Sequence, residues 1–161
     1  MPTLNDTKYD VASVTKVMAT TLAIMNMASS NSIKLDDLVS KYIENYDTNK
    51  KGNTTIKNLL LHNAGLPYDY PGALPKNQSD VIDYIRFAKP AYPIGTQFHY
   101  SNLGFLLLSK IVEKITNKTF EAYTNQNKIF AGLKDSGFNP RCCDGSTWVL
   151  ILLICNVYIF A

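Results

Sequence analysis

From Ser13 to Asn31 the chain runs without a glycine or a proline and, after Lys16, without a charge. Val14, Val17, Met18, Leu22, Ile24, Met25 and Met27 recur among Ala, Thr and Asn. A helix apolar on nearly all sides is expected to be buried on nearly all sides. At about 19 residues, and broken by Thr20, Thr21, Asn26 and Ser29, it suits the central helix of a domain better than a membrane span.

The rest of the chain supplies smaller elements around that helix. Leu35, Leu38, Val39, Tyr42 and Ile43 fall at helical spacing, so a short surface helix is expected over 35–46. Thr54 or Thr55 can cap a third helix over 56–62, stopped by Gly65 and Pro67. Residues 67–78 read as a loop, after which Ser79 is expected to cap a helix through Ala88. Pro90, Pro93 and Gly95 make a connector, and 97–100 is expected to be briefly extended. A packed helix over 103–115 and an amphipathic one over 119–130 follow. Lys50-Lys51, the only adjacent basic pair, reads as part of a solvated loop.

At 161 residues, with 46% hydrophobic and 18% charged residues, the chain suits one globular domain. A net charge of +3 without a basic run gives no footprint for nucleic acid. Met1 to Lys8 has no apolar core of a secretory signal, so a cytoplasmic location is the default expectation. The Asn-x-Ser/Thr triplets at Asn5, Asn53, Asn77 and Asn117 are then expected to stay unglycosylated. Cys142, Cys143 and Cys155 have no nearby histidine, since His62 and His99 lie far upstream, and read as free thiols rather than a zinc site.

After Pro140 the character changes. The run from Trp148 to Ala161 carries no charge. Its fourteen residues would span about 21 Å as a helix, short of the ~30 Å hydrocarbon core. Residues 141–161 therefore read as a tail foreign to the domain of residues 1–140, of splice or reading-frame origin. A membrane contact through 148–161 is the competing reading.

Two short patterns carry chemistry. Ser13 and Lys16 lie one helical turn apart and share a face. A serine hydroxyl needs a base to take its proton, and an amine in a desolvated pocket can be that base. Unpaired N–H groups at a helix start can stabilise an oxyanion. Tyr100-Ser101-Asn102 follows a turn and heads a helix, so Tyr100 and Asn102 can face a cleft. A tyrosine can relay a proton, and an asparagine can hydrogen-bond a substrate amide. Taken alone, each pattern also fits a plain helix cap. Tyr123-Thr124-Asn125 repeats the second pattern inside an amphipathic helix, where a surface role is expected.

Longer blocks add to these patterns. Tyr9-Asp-Val-Ala-Ser-Val-Thr-Lys-Val-Met-Ala-Thr-Thr21 resembles the nucleophile segment of the β-lactamase-related serine hydrolases. That group includes class C β-lactamases, D,D-carboxypeptidases and family VIII esterases. Thr55-Ile-Lys-Asn-Leu-Leu-Leu-His-Asn-Ala-Gly-Leu-Pro67 resembles their next block, and Tyr92-Pro-Ile-Gly-Thr-Gln-Phe-His-Tyr-Ser-Asn102 the one bearing Tyr-x-Asn. Gly132-Leu-Lys-Asp-Ser-Gly-Phe138 continues the likeness.

The resemblance implies a mainly α chain, the helical subdomain of a β-lactamase/transpeptidase-like α/β fold with most of the central antiparallel sheet missing. It implies Ser13 as acylated nucleophile, Lys16 as its activating partner, Tyr100 as general base or acid, and Asn102 as a contact for substrate and lysine. The implied substrate is a β-lactam, a D-Ala-peptide or an ester, with no metal or organic cofactor. His62 and Gly65 read as helix termination.

The family's third element, Lys-Thr-Gly or His-x-Gly, has no match after Tyr100. Asp135-Ser-Gly and Cys143-Asp-Gly lack the cationic or imidazole lead. Little turnover is therefore expected, with a non-catalytic helical binding module as the alternative. Self-association through exposed apolar surface is a further expectation.

Overall fold

The computed structural model describes residues 8–72, 78–130, 137–138 and 157–160. Strand β1 (Lys8–Asp10) precedes a π-helical turn (Lys16–Thr21) that runs directly into α1 (Leu22–Ser29). Helices α2 (Ile56–Leu60), α3 (Gln78–Phe87), α4 (Asn102–Thr116) and α5 (Phe120–Gln126) follow, then strands β2 (Gly137–Phe138) and β3 (Val157–Phe160). The strands form a small antiparallel sheet in the order β1-β3-β2, with Tyr9 opposite Ile159 and Phe138 opposite Val157.

The sequence reading gave no strand on either side of the helices, whereas β1 precedes them and β2 and β3 follow. β3 belongs to the tail set apart on its composition, yet it runs between the other two strands. Trp148 and the three cysteines lie outside the described residues. Among the described residues, no helix is long and apolar enough to cross a membrane.

The central helix is α4. Leu103 to Ser109, Ile111 and Val112 are all buried along it, a run that only a helix surrounded by protein can carry. Ser101 caps it, its hydroxyl oxygen accepting the Gly104 N–H. Asn102 is thereby the first helical residue, leaving its side chain free for other work.

The segment over 13–31 is less central than its composition suggests. Ala19, Ala23, Ile24 and Met27 face the core. Val17 and Met25 are 64% and 58% exposed, and Val14 and Leu22 are exposed as well. An all-round apolar surface therefore serves two faces, of which one is packed and one is open.

Local hydrogen bonding accounts for the other departures from the expected helices. Over 35–46 only Val39–Lys41 closes, as a 3₁₀ turn. The preceding backbone is drawn instead against residues 54–57. Val39 N–H donates to the Thr54 carbonyl, Ile56 N–H to Asp37 and Lys57 N–H to Leu35, while Leu38 bridges Thr55. Thr55 caps α2 in a reciprocal box with Asn58, and the helix ends at Leu60 because His62 turns to a φ of 54°. Ser79 lies inside α3, which already starts at Gln78. Residues 97–100 form no strand.

Lys51 overturns the solvated-loop reading most clearly. Its side chain is fully buried, and its amine donates to the carbonyls of Ile85 and Arg86, each at 2.5 Å. Thr48 Oγ1 donates to the same Arg86 carbonyl and Asn49 Nδ2 to that of Phe87. The 48–51 loop is thus the C-terminal cap of α3, supplying donors to carbonyls that no further helical turn satisfies. The ammonium also lies 4.8 Å from the Tyr46 ring centroid.

Burial pushes the Lys51 amine down to about 8. The unfolded chain then binds more protons than the folded one between pH ~8 and ~10.5, so this group makes stability rise with pH over that window. Lys51→Met keeps the apolar stem but strands buried carbonyls, and is expected to lower stability by about 1–3 kcal/mol in urea denaturation at pH 7. The deficit should widen towards pH 10, because the variant lacks the rise.

Candidate active site

Ser13 sits on the turn between β1 and the π-helical turn, immediately after Ala12, which adopts a left-handed φ of 44°. That conformation is unfavourable for a residue with a Cβ and is a common accompaniment of functional turns. The N–H groups of Val14, Thr15 and Lys16 are already bonded to the carbonyls of Val11, Ala12 and Ser13. The expectation of several unpaired N–H groups at this helix start therefore narrows. Among the described residues, Ser13's own N–H is the one left for an oxyanion.

Lys16 opens the π-helical turn, a wider helical geometry often found at functional positions. Thr21 Oγ1 holds that turn by donating to the Lys16 carbonyl at 2.9 Å. The lysine side chain is only 4% exposed and points its amine back to Ser13 Oγ, 3.1 Å away. Its Nζ also lies 5.0 Å from the centre of the Tyr100 ring and 6.0 Å from that of Phe105.

Tyr100 arrives from the segment before α4 and places its hydroxyl 2.7 Å from Ser13 Oγ. The three side chains named from the sequence as catalytic therefore meet at one oxygen. Asn102 lies two residues on, but its Nδ2 donates to Asp69 Oδ2 at 3.0 Å, and among the described residues no bond to Lys16 is formed.

His62 is the residue the sequence reading undervalued. Its ring stacks on Tyr100 with centroids 4.5 Å apart and lies 4.9 Å from Phe105. Its Nδ1 accepts the Ser101 N–H at 3.1 Å, and its carbonyl accepts the His99 N–H at 2.7 Å. His62 thus fixes the backbone on both sides of Tyr100, with its imidazole on the Ser101 side and its carbonyl on the His99 side. Its one sequence signal was a polar ring closing the apolar run Leu59-Leu60-Leu61, which termination alone seemed to explain.

The neighbouring loop is fastened by further long-range bonds. Ser101 Oγ donates to the Pro67 carbonyl, Asn102 N–H to that of Tyr68, and Gly95 N–H to that of Asn63. Gly65 must be glycine here. Its φ is +71°, and a Cβ would lie 2.8 Å from Pro90 Cβ and from the Tyr92 carbonyl oxygen. Among the described residues, no three His, Cys, Asp or Glu side chains gather to hold a metal ion.

Burial, and secondarily the positive charge of Lys16, pull the His62 pKa below its ordinary value. The unfolded chain therefore takes up the His62 proton first as pH falls below about 6.5, and folded stability drops through that window. Protonation also removes the Nδ1 lone pair that receives the Ser101 N–H. His62→Gln is expected to lose less stability than the unchanged chain between pH 7 and pH 5, measured by denaturant titration at each pH.

Known proteins resemble this chain in sequence and in fold. Residues 1–141 match the family model described as Beta-lactamase. A protein of Escherichia coli (strain K12) named "Putative D-alanyl-D-alanine carboxypeptidase" is 34% identical over 150 residues, which cover 83% of this chain and 34% of the relative. An N-acetylmuramyl-L-alanine amidase of Bacillus subtilis (strain 168) is 31% identical over 149 residues, with the same coverage. The chain thus spans about a third of the length of these curated relatives.

Among solved structures, a penicillin binding protein from Bacillus halodurans superposes with a TM-score of 0.77 at 26% identity, covering 100% of this chain and 57% of that one. A class C beta lactamase from Rhodobacter sphaeroides gives 0.76 at 22%, covering 100% and 50%. The helical body and its small sheet therefore have a β-lactamase/transpeptidase-like fold. This chain belongs to the beta-lactamase family of serine hydrolases.

Proposed function

We propose that the chain is an acyl-transferring serine hydrolase in which Ser13 is the nucleophile. The observation that carries this reading is the meeting of Lys16 Nζ and Tyr100 Oη at Ser13 Oγ, at 3.1 and 2.7 Å. Neither partner is adjacent by accident of a flexible surface, since Lys16 is buried and Tyr100 is clamped by His62.

In the proposed reaction Ser13 Oγ attacks the carbonyl carbon of an amide or ester. Its proton passes to the Lys16 amine or the Tyr100 oxygen, whichever is unprotonated. Tyr100 then protonates the departing amine or alkoxide, leaving an acyl-serine. Water releases the acyl group as a carboxylic acid and restores Ser13. The Ser13 N–H is suited to bind the oxyanion. Asn102, oriented by Asp69, has its carbonyl oxygen available for a substrate N–H.

β-Lactams, D-Ala-peptides and simple esters all present the required carbonyl, and relatives named for carboxypeptidase and amidase activity favour this class of chemistry. With Ser13's own N–H the single candidate oxyanion donor at this helix start, turnover is expected to be slow. Loss of one such donor typically costs ~10²–10³ in rate.

Phosphonylation by a fluorescent fluorophosphonate tests the assignment without requiring turnover. The unchanged chain should label at Ser13 and Ser13→Ala should not. Lys16→Ala and Tyr100→Phe should each slow labelling by about 10²–10⁴-fold. Equal labelling of Ser13→Ala would overturn the reading.

A further inference from the structure

The two backbone bonds that flank Tyr100 run to a single residue. The His99 N–H donates to the His62 carbonyl at 2.7 Å and the Ser101 N–H to His62 Nδ1 at 3.1 Å. Residues 97–100 form no strand, so no ladder of backbone bonds sets the direction of the tyrosine. The His62 ring also lies along the Tyr100 ring, with 4.5 Å between centroids and 27° between planes. His62 makes these contacts from a left-handed φ of 54°, which a residue with a Cβ keeps only where its surroundings hold it.

One of the contacts can be switched by a proton. A neutral imidazole offers Nδ1 as an acceptor when its hydrogen sits on Nε2, and an imidazolium offers no acceptor at all. Ser101 is only 3% exposed, so water is poorly placed to take over its N–H. Protonation therefore sets a donor against a buried donor, and the ring that stacks on Tyr100 has to move.

The groups around the ring favour its neutral form. Burial first, and then the positive charge of Lys16 on the π-helical turn, hold the imidazole below its ordinary 6.5. The Tyr100 phenol is the other titratable group against it, and Phe98 and Phe105 lie at 5.7 and 4.9 Å between centroids. Among the described residues no carboxylate forms an ion pair with it.

Resting on Ser13 as nucleophile and Tyr100 as proton relay, we infer that His62 is a positioning residue of the site, holding Tyr100 Oη on Ser13 Oγ only while its Nδ1 is an unprotonated acceptor for the Ser101 N–H. It acts through Tyr100 and not on the acyl group. Acylation of Ser13 is then switched off as pH falls through the His62 titration, in addition to any effect of the protons on Lys16 and Tyr100.

The experiment follows fluorophosphonate labelling of the full chain from pH 8 to pH 5 by intact-mass spectrometry. Ser13 Oγ bonds to phosphorus, fluoride leaves, and the hydroxyl proton passes to Lys16 or Tyr100. The rate should fall at least about tenfold below pH 6.5, while the amide signals of α4 stay in place. Two variants separate the acceptor from the ring. His62→Asn supplies an acceptor oxygen that does not titrate, on a residue that tolerates a left-handed backbone. His62→Phe keeps a ring and supplies no acceptor. At pH 8 the Phe variant should react at least about tenfold more slowly than the unchanged chain, and the Asn variant at least about threefold faster than the Phe variant. The acid fall should be lost in the Asn variant. Equal rates for the two variants, or an acid fall that the Asn variant retains, would overturn the inference. In the isotope-labelled unchanged chain the Ser101 amide resonance should titrate together with the His62 ring protons. A Ser101 amide indifferent to that titration overturns the inference even where the Phe variant does not fold. Absence of Ser13 phosphonylation at every pH would remove the hydrolase reading itself, an outcome distinct from labelling whose pH profile His62 does not control.

Discussion

The burial of α4 is the constraint on which the remaining structure rests. Nine of its residues, from Leu103 to Val112, are buried, and α2, α5 and the π-helical turn pack around them. Because the helix must start where Ser101 can cap it, Tyr100 is held just outside the first turn and Asn102 just inside. The same packing brings the π-helical turn alongside, with Lys16 and Thr20 on its buried face. Two segments 87 residues apart are thereby brought to a single hydroxyl oxygen. Removing the apolar run would disconnect the site before it touched any polar group in it.

Around that frame, polar groups set direction where apolar packing sets position. His62 occupies a left-handed backbone turn, and that conformation lets one residue use its ring, its Nδ1 and its carbonyl on neighbours of Tyr100. Asp69 plays a comparable part for Asn102, fixing which end of the carboxamide faces the loop. Lys51 does the equivalent for α3, far from the nucleophile, by taking a cation into the interior to satisfy helix-end carbonyls. In each case a charged or polar side chain meets specific donors or acceptors that packing has placed beside it.

Much of this was legible in the residues, and the failures have definite causes. Helices α2, α4 and α5 follow from apolar spacing, and α2 also from its cap at Thr55, signals that act within a few residues. The expected helix over 35–46 failed because residues 54–57 offered its backbone different partners. The central position assigned to the segment over 13–31 failed because composition cannot tell a face packed on protein from one left open at Val17 and Met25. The strands escaped notice because β1 and β2 span three and two residues, too few for an alternating pattern to register.

By itself the sequence determined the spacing of Ser13 and Lys16, the order of the blocks that carry the family resemblance, and the Thr55 cap that starts α2. These are local properties, fixed by one helical turn or by hydrogen bonds reaching three residues along the chain. Only the tertiary structure decided that Tyr100 reaches Ser13, that His62 clamps it, that Lys51 is interior and that Asp69 holds Asn102. Those contacts join residues 33 to 87 apart. No periodicity extends so far, and they exist only once the burial of α4 has chosen which segments lie side by side.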